Sequence, residues 1–393
     1  MSGFLADADL GVNPIEAARL AHLAAGRSYV DLTSSNPTAH GLLFPPKILR
    51  DAAAGFWEKR RYLPDPHGAL PARAAVAEYY ATRRAPGAGP FDPEQIFLTA
   101  STSEAYGLLF ALLTSPGDNV LAPRATYPLF EHFAAVHHVE LRTYELDERR
   151  GWAIDEHSLL NAADERTRAV MLVSPHNPTG MVMRAPIPAL DALGLPLICD
   201  EVFAEFTRTT PAPLIAALHP RLPCFTLNGI SKLFALPDLK LGWVLMNPPA
   251  ADRFSTRFEI LNDAFLSANS LTQHMLPHLF AHGMPFVEHM RTHFRAGIDL
   301  GLHLLEPYAA IQVIPPDGGY YLFPRVHGWD DEDELVLHLL NAGVLVHPGY
   351  FYGLDAERDG AHLMISCLTN PEALESGAAK ISDFRLSGCG ESI

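Results

Sequence analysis

Between residues 96 and 246 the chain repeats one unit: a short apolar run, a polar or proline-marked corner, then a stretch with apolar residues at helical spacing. Residues 96–99, 119–122, 139–144, 169–174, 195–199, 224–227 and 241–246 read as strands, and 102–113 and 127–136 as helices. Runs this short and this apolar are buried on both faces. Their alternation with helices predicts an α/β fold, with a mostly parallel sheet covered by helices on each side. Ligands bind such sheets beyond the carboxyl ends of the strands. The residues that follow each strand are therefore the ones to read for chemistry.

After 96–99 come Ser101, Thr102, Ser103 and Glu104, a capping box opening a helix. Such a box is commonly no more than a well-made helix start, yet hydroxyls and free amides at a positive helix end also suit a phosphate. After 119–122, Tyr127 stands before Pro128; core packing is the usual fate of a tyrosine, and stacking on a flat ring is the alternative. Asn177, between Pro175 and Pro178, is either part of a turn or a rigidly held amide. The acidic pair Asp200-Glu201 ends an apolar run, where a carboxylate needs a cation or a hydrogen-bond donor. Ser231-Lys232 follows 224–227, with Lys240 further on. A lone Ser-Lys is ordinarily a snorkelling surface lysine; the sharper reading is an amine that bonds a carbonyl. Each corner is weak alone. Together they describe a ligand with a phosphate, a flat ring, a ring oxygen, a basic ring nitrogen and an aldehyde, which is pyridoxal phosphate.

On these residues the chain resembles the class I/II aminotransferases, the pyridoxal-phosphate enzymes of the aspartate-aminotransferase fold (fold type I), over nearly its whole length. The resemblance implies that Lys232 is the Schiff-base lysine and proton shuttle. It implies that Asp200 partners the ring nitrogen, that Asn177 donates to the ring oxygen and that Tyr127 stacks on the ring. Ser101, Thr102, Ser103, Ser231 and Lys240 fall where the family binds phosphate. Tyr62, in a Tyr-x-Pro-x-x-x-Gly stretch, resembles the tyrosine that reaches the phosphate of a neighbouring subunit, which implies a homodimer with shared active sites. The expected activity moves an amino group between an amine or amino acid and an oxo acid by a ping-pong mechanism.

Four positions depart from the family's pattern. Lys240 stands where arginine is usual and keeps the charge without the bidentate fork. Gly229 replaces a phosphate-binding serine, and Phe203 a tyrosine that bonds the ring oxygen. Met364, in Met364-Ile365-Ser366, replaces the arginine that clamps the substrate carboxylate. Arg124 and His40 are candidate substitutes, with Arg358 in the preceding turn. That gap keeps open a lyase, decarboxylase or cyclising enzyme on the same fold.

Residues 46–275 are expected to form the large cofactor-binding domain, and 1–45 with 276–393 a smaller α+β domain. A break is expected near residues 283–285 of an otherwise helical stretch. In the smaller domain, strands are predicted at 320–324, 344–346 and 362–367, and a helix at 332–341. A formal net charge of −16 argues against nucleic acid, whose backbone is held by lysine and arginine. No run reaches transmembrane length, and the start lacks a leader's cationic and apolar regions. Four cysteines without a paired spacing suggest a reducing cytoplasm. Nineteen scattered histidines show no ligand spacing, so no metal site is expected. A cofactor-sensing transcription regulator would need a basic extension, and a nicotinamide enzyme a G-x-G-x-x-G after the first strand; neither is present.

Overall fold

The computed structural model describes residues 11–58, 61–81, 83, 91–266 and 268–383. The first nine residues, read above for a leader, and Cys389 lie outside them. Seven strands form the central sheet in the order Ile96–Thr99, Gly242–Met246, Cys224–Gly229, Leu197–Asp200, Thr167–Val173, Asn119–Pro123 and Glu140–Tyr144. Gly242–Met246 runs antiparallel to both of its neighbours, and every other adjacent pair is parallel.

Successive residues on each strand divide between two apolar layers, as a period of two requires. Ile198 packs into one layer with Phe97, Val120 and Phe225, while Leu197 and Cys199 pack into the other with Leu98, Leu121 and Trp243. Five of the strands are buried at every position. Each fully buried large apolar side chain contributes about 1.5–3 kcal/mol, so the sheet is a stiff platform for the loops at its edge.

The expected break near residues 283–285 does not occur. Ser270–Leu305 is one helix of 36 residues with Pro277 and Pro285 inside it. Gly283 serves packing there: a Cβ would lie 2.9 Å from Phe44 Cζ and 3.0 Å from Phe234 Cε1. Pro285 denies a donor to the carbonyl four residues earlier, but both Ala281 and Pro285 are exposed, so water can take the donor's place. Through Phe294 this helix packs in the main core, and from Ile298 it joins a second core with Leu335, Leu339 and Leu363.

That second core carries a three-stranded antiparallel sheet, Tyr321–Leu322, Leu363–Ser366 and His347–Pro348. The helix Glu332–Asn341 covers it, capped by the Asp331 carboxylate. Val30–Asp31 pairs in parallel with Val344–Leu345, which ties the amino-terminal segment to the carboxyl-terminal one. The strand predicted at 320–324 is shorter, Tyr321–Leu322, and Pro324 within it has no N–H to donate to the ladder.

Candidate active site

The carboxyl ends of the parallel strands and the amino end of Gly242–Met246 meet at one cavity of about 150 Å³. Thr102, Ser103, Tyr127, Asn177, Asp200, Ser231 and Lys232 line it. Seven of the ten residues singled out from the sequence are thus brought together from the ends of five strands and the turns or helix starts that follow them.

Asp200 closes the floor. Its Oδ2 accepts the Tyr106 hydroxyl at 2.8 Å and its Oδ1 accepts the Val202 amide at 3.1 Å. Burial raises its pKa, and those two donors together with the Lys232 charge oppose the rise. Glu201, next in sequence, has a different partner: Arg83 reaches its Oε2 at 2.9 Å, and the Ile215 amide donates to its Oε1 at 3.0 Å. Asn228 joins the two neighbouring strands, donating to the Glu201 carbonyl at 3.1 Å and accepting the Gly229 amide at 2.7 Å. It therefore sets the turn that carries Lys232 against the strand that carries Asp200.

Lys232 lies at the end of the short turn Ile230–Leu233, half-buried, with Nζ 6.0 Å from the centre of the Phe203 ring. Phe203 is wedged edge-to-face against Tyr320 at 5.2 Å. Tyr127 stands edge-to-face on Phe130 at 5.8 Å, and burial raises its pKa. Asn177 Oδ1 is buried without a hydrogen-bond partner. Its neighbour His176 bonds Thr179 at 2.9 Å, and burial lowers the imidazole's pKa to about 3, so it brings no charge to the site.

Three expected residues stand apart from the cavity lining. Ser101 accepts the Glu104 amide at 3.1 Å as the helix cap, which leaves its O–H free to donate. Lys240 is exposed, in the left-handed turn before Gly242–Met246. Tyr62 is 77% exposed and borders a separate depression with Leu63, Leu266 and His274. Neither candidate for the carboxylate lines the cavity. Arg124 bonds Asp359, and burial lowers the His40 pKa, which favours the uncharged ring. Arg358, in the helix Ala356–Asp359, reaches Glu145 at 2.7 Å.

Sequence reasoning passed over Tyr106 and Tyr321, both of which line the cavity. Tyr106 carried a usable signal, since it lies one turn after Thr102 on the helix that opens at the sheet edge. Tyr321 comes from the distant carboxyl-terminal sheet and carried none. Gly229 also gains a physical reason: a Cβ there would lie 2.9 Å from the Leu241 carbonyl oxygen. The close approach of two strands disfavours a serine.

A larger depression, about 550 Å³, lies between residues 145–155 and the carboxyl-terminal segment. Its charges are spent on one another, with Arg325 and His362 both reaching Glu148. Among the described residues, no group of three or more His, Cys, Asp or Glu side chains is placed to hold a metal ion. No helix among them is long and apolar enough to cross a membrane.

Comparison with known proteins agrees with this geometry. The family model "Aminotransferase class I and II" matches residues 27–381. An alanine aminotransferase of Mycobacterium tuberculosis is 28% identical over 380 residues, covering 93% of this chain and 87% of that protein. Mouse tyrosine aminotransferase is 24% identical over 352 residues, covering 83% and 76%. In fold, the chain is similar to an alanine aminotransferase from Pyrococcus furiosus, with a TM-score of 0.87 at 22% identity, over 98% of this chain and 99% of that one.

Proposed function

The chain belongs to the class I and II aminotransferases, pyridoxal-phosphate-dependent enzymes that move amino groups, and from that premise we propose how its own residues divide the work. The cavity fits the cofactor on an observation independent of family. A buried carboxamide oxygen without a partner, a buried carboxylate and a lone lysine face the same space. When bound, pyridoxal phosphate supplies an aldehyde that takes up amines and a ring that accepts electrons.

In this reading Thr102, Ser103 and Ser231 seat the phosphate, helped by the free amides at the start of the helix Thr102–Leu113. Ser101 caps that helix behind them, and Lys240 contributes charge from the rim. Asn177 would donate through its Nδ2 to the ring oxygen, Asp200 would keep the ring nitrogen protonated, and Tyr127 would cover one ring face. Lys232 would hold the aldehyde carbon through its Nζ, and the same amine would carry a proton to and from the donor carbon. Donor and oxo acceptor then use the one cavity in turn, as a ping-pong cycle requires. The observation that carries this is the convergence of Asp200, Asn177 and Lys232 on one cavity from three strand ends.

The large domain at residues 46–275 and the small one at 1–45 with 276–393 are the division we adopt, with the boundary inside the helix Ser270–Leu305. A homodimer is supported by large exposed side chains around one depression: Tyr62 77%, Leu63 80% and Leu266 65%. Patches of that kind mark interaction surfaces. Tyr62 there is then available to the neighbouring cavity. The described cysteines, buried and unpaired, suit the cytoplasm.

The test is to load the protein with pyridoxal phosphate and follow the visible band against a panel of amino acids and amines. A transaminase converts stoichiometrically to the pyridoxamine form with donor alone and returns on adding an oxo acid, whereas a lyase returns unaided. A colourless protein, or a Lys232→Ala variant that behaves as wild type, would sink this reading.

A further inference from the structure

The cavity offers a substrate one cation and no second. Lys232 is the lone lysine or arginine among its described lining residues. The three arginines Arg124, Arg325 and Arg358 are committed elsewhere: Arg124 to Asp359 and Glu145, Arg325 to Glu148, and Arg358 to Glu145.

The carboxyl-terminal sheet turns an uncharged face to the same cavity. Tyr321, which lines it, is the cross-strand partner of Ser366. Residues two apart on a strand share a face, so Met364 lies on the face of Ser366 and Tyr321. The packing agrees. Leu363 and Ile365 join the second core, while Met364, 1% exposed, joins the main core that contains Phe203 and Tyr321. Opposite Met364 in register stands His347, and burial favours its uncharged ring.

A carboxylate entering beside the cofactor sheds water and meets Phe203, Tyr321 and the sheet face that carries Met364, with no guanidinium among the described lining residues to receive it. An uncharged substituent loses nothing on the same path. We infer that the site does not select for an α-carboxylate on its amino donor, so that primary amines with an apolar or aromatic substituent serve about as well as the matching amino acids. This rests on the aminotransferase reading above. The chemistry balances between donor and acceptor: R–CH2–NH2 becomes R–CHO while an oxo acid becomes an amino acid. One carbon–nitrogen bond breaks and another forms, oxygen passes the opposite way, and two electrons move from donor carbon to acceptor carbon.

The experiment compares matched donors on the loaded enzyme, L-phenylalanine with 2-phenylethylamine and L-alanine with ethylamine, by single-turnover bleaching of the visible band. Calorimetry, without turnover, compares binding of 3-phenylpropionate and 3-phenylpropanol. The expected ratios lie within about tenfold, whereas a site built to pair a polar group rejects the analogue lacking it by about 10⁴-fold. Amino acids preferred by more than about a hundredfold, or the acid bound more than about tenfold tighter than the alcohol, would overturn the inference. Met364→Arg, if it folds, should shift both ratios toward the carboxylate; a folded variant with unchanged ratios would also overturn it, and the wild-type ratios decide should it not fold. If no amino compound bleaches the band, the aminotransferase reading fails. Should amino acids react and amines not, only this inference does.

Discussion

Tyr106 and Asp200 are joined by a 2.8 Å hydrogen bond that lies entirely in the protein interior, from the phenol of one helix to the carboxylate at the end of a strand. The tyrosine is held by the flat stacking of Phe133 at 5.6 Å. Burial alone would favour a neutral Asp200, and the phenol opposes that. Removing it in Tyr106→Phe should move the Asp200 pKa further upward, because a hydrogen bond to a charged group contributes about 1.5–3 kcal/mol. The acid limb of the kcat/KM profile should move to higher pH, and pyridoxal-phosphate affinity should fall about tenfold or more. An unchanged pH profile would count against the pairing.

Asp200→Asn should make the cofactor-free protein more heat-stable at neutral pH while weakening the holoenzyme. The sign follows from linkage: a carboxyl whose folded pKa is raised binds its proton more tightly folded than unfolded. Its contribution to stability is then fully present below the unfolded pKa and is lost as pH rises through the folded one. Neutral asparagine does not incur that loss. Melting curves of cofactor-free wild type and variant at neutral pH and near pH 3 check this, since the gap should close at the acid end.

Gly229→Ser restores the residue usual in the family yet should cost stability. Its Cβ would press on the Leu241 carbonyl at 2.9 Å and on Gly242 Cα at 3.1 Å, both of them backbone. Overpacking of this kind costs about 1–3 kcal/mol, so the melting temperature should fall, and affinity for pyridoxal phosphate should not improve. Differential scanning calorimetry with a cofactor titration decides it.

The Arg83–Glu201 pair, nearly fully buried on both sides, should show strong coupling. Arg83→Met or Glu201→Gln alone leaves an unmatched buried group, at a cost of about 3–5 kcal/mol where a charge is stranded. The double variant should recover much of that. A denaturant double-mutant cycle measures the coupling, and additive losses would show the pair to be incidental.

Phe203→Tyr adds a hydroxyl to the cavity wall beside Lys232. If that hydroxyl bonds the ring oxygen of the cofactor, the pH midpoint of the visible band should drop by about one to two units. An unmoved midpoint excludes the contact.

The central sheet was legible because a strand buried on both faces has to be written as a short apolar run, and five of the seven were, the edge strand Glu140–Tyr144 being the most exposed. The residues at its edge were legible through their convergence: each corner, as at Asp200 or Lys232, has an ordinary structural explanation alone, and only together do they describe one ligand. What the sequence concealed depends on packing across distance. Nothing around Pro285 shows that a neighbouring Gly283 is wanted by Phe44 and Phe234, so the pair reads as a break where the helix continues. Nor does 241–246 declare its direction, since antiparallel and parallel strands of equal burial look alike. Tyr321 reaches the cavity only because two remote segments fold together.

The reversed strand Gly242–Met246 has a bearing on the order of assembly. Ile96–Thr99, which leads into the helix start bearing Thr102 and Ser103, pairs with no other strand of the central sheet. Thr99 meets Gly242, and a Cβ on that glycine would sit 2.9 Å from the Thr102 amide nitrogen. The proposed phosphate seat is therefore docked by a segment made about 140 residues later, a closure of the kind that slows folding. On the ribosome, a chain that has already formed Thr167–Val173 and Leu197–Asp200 still has no fixed place for an anion. The proposed phosphate seat is complete only with the strand of the sheet that comes last in chain order.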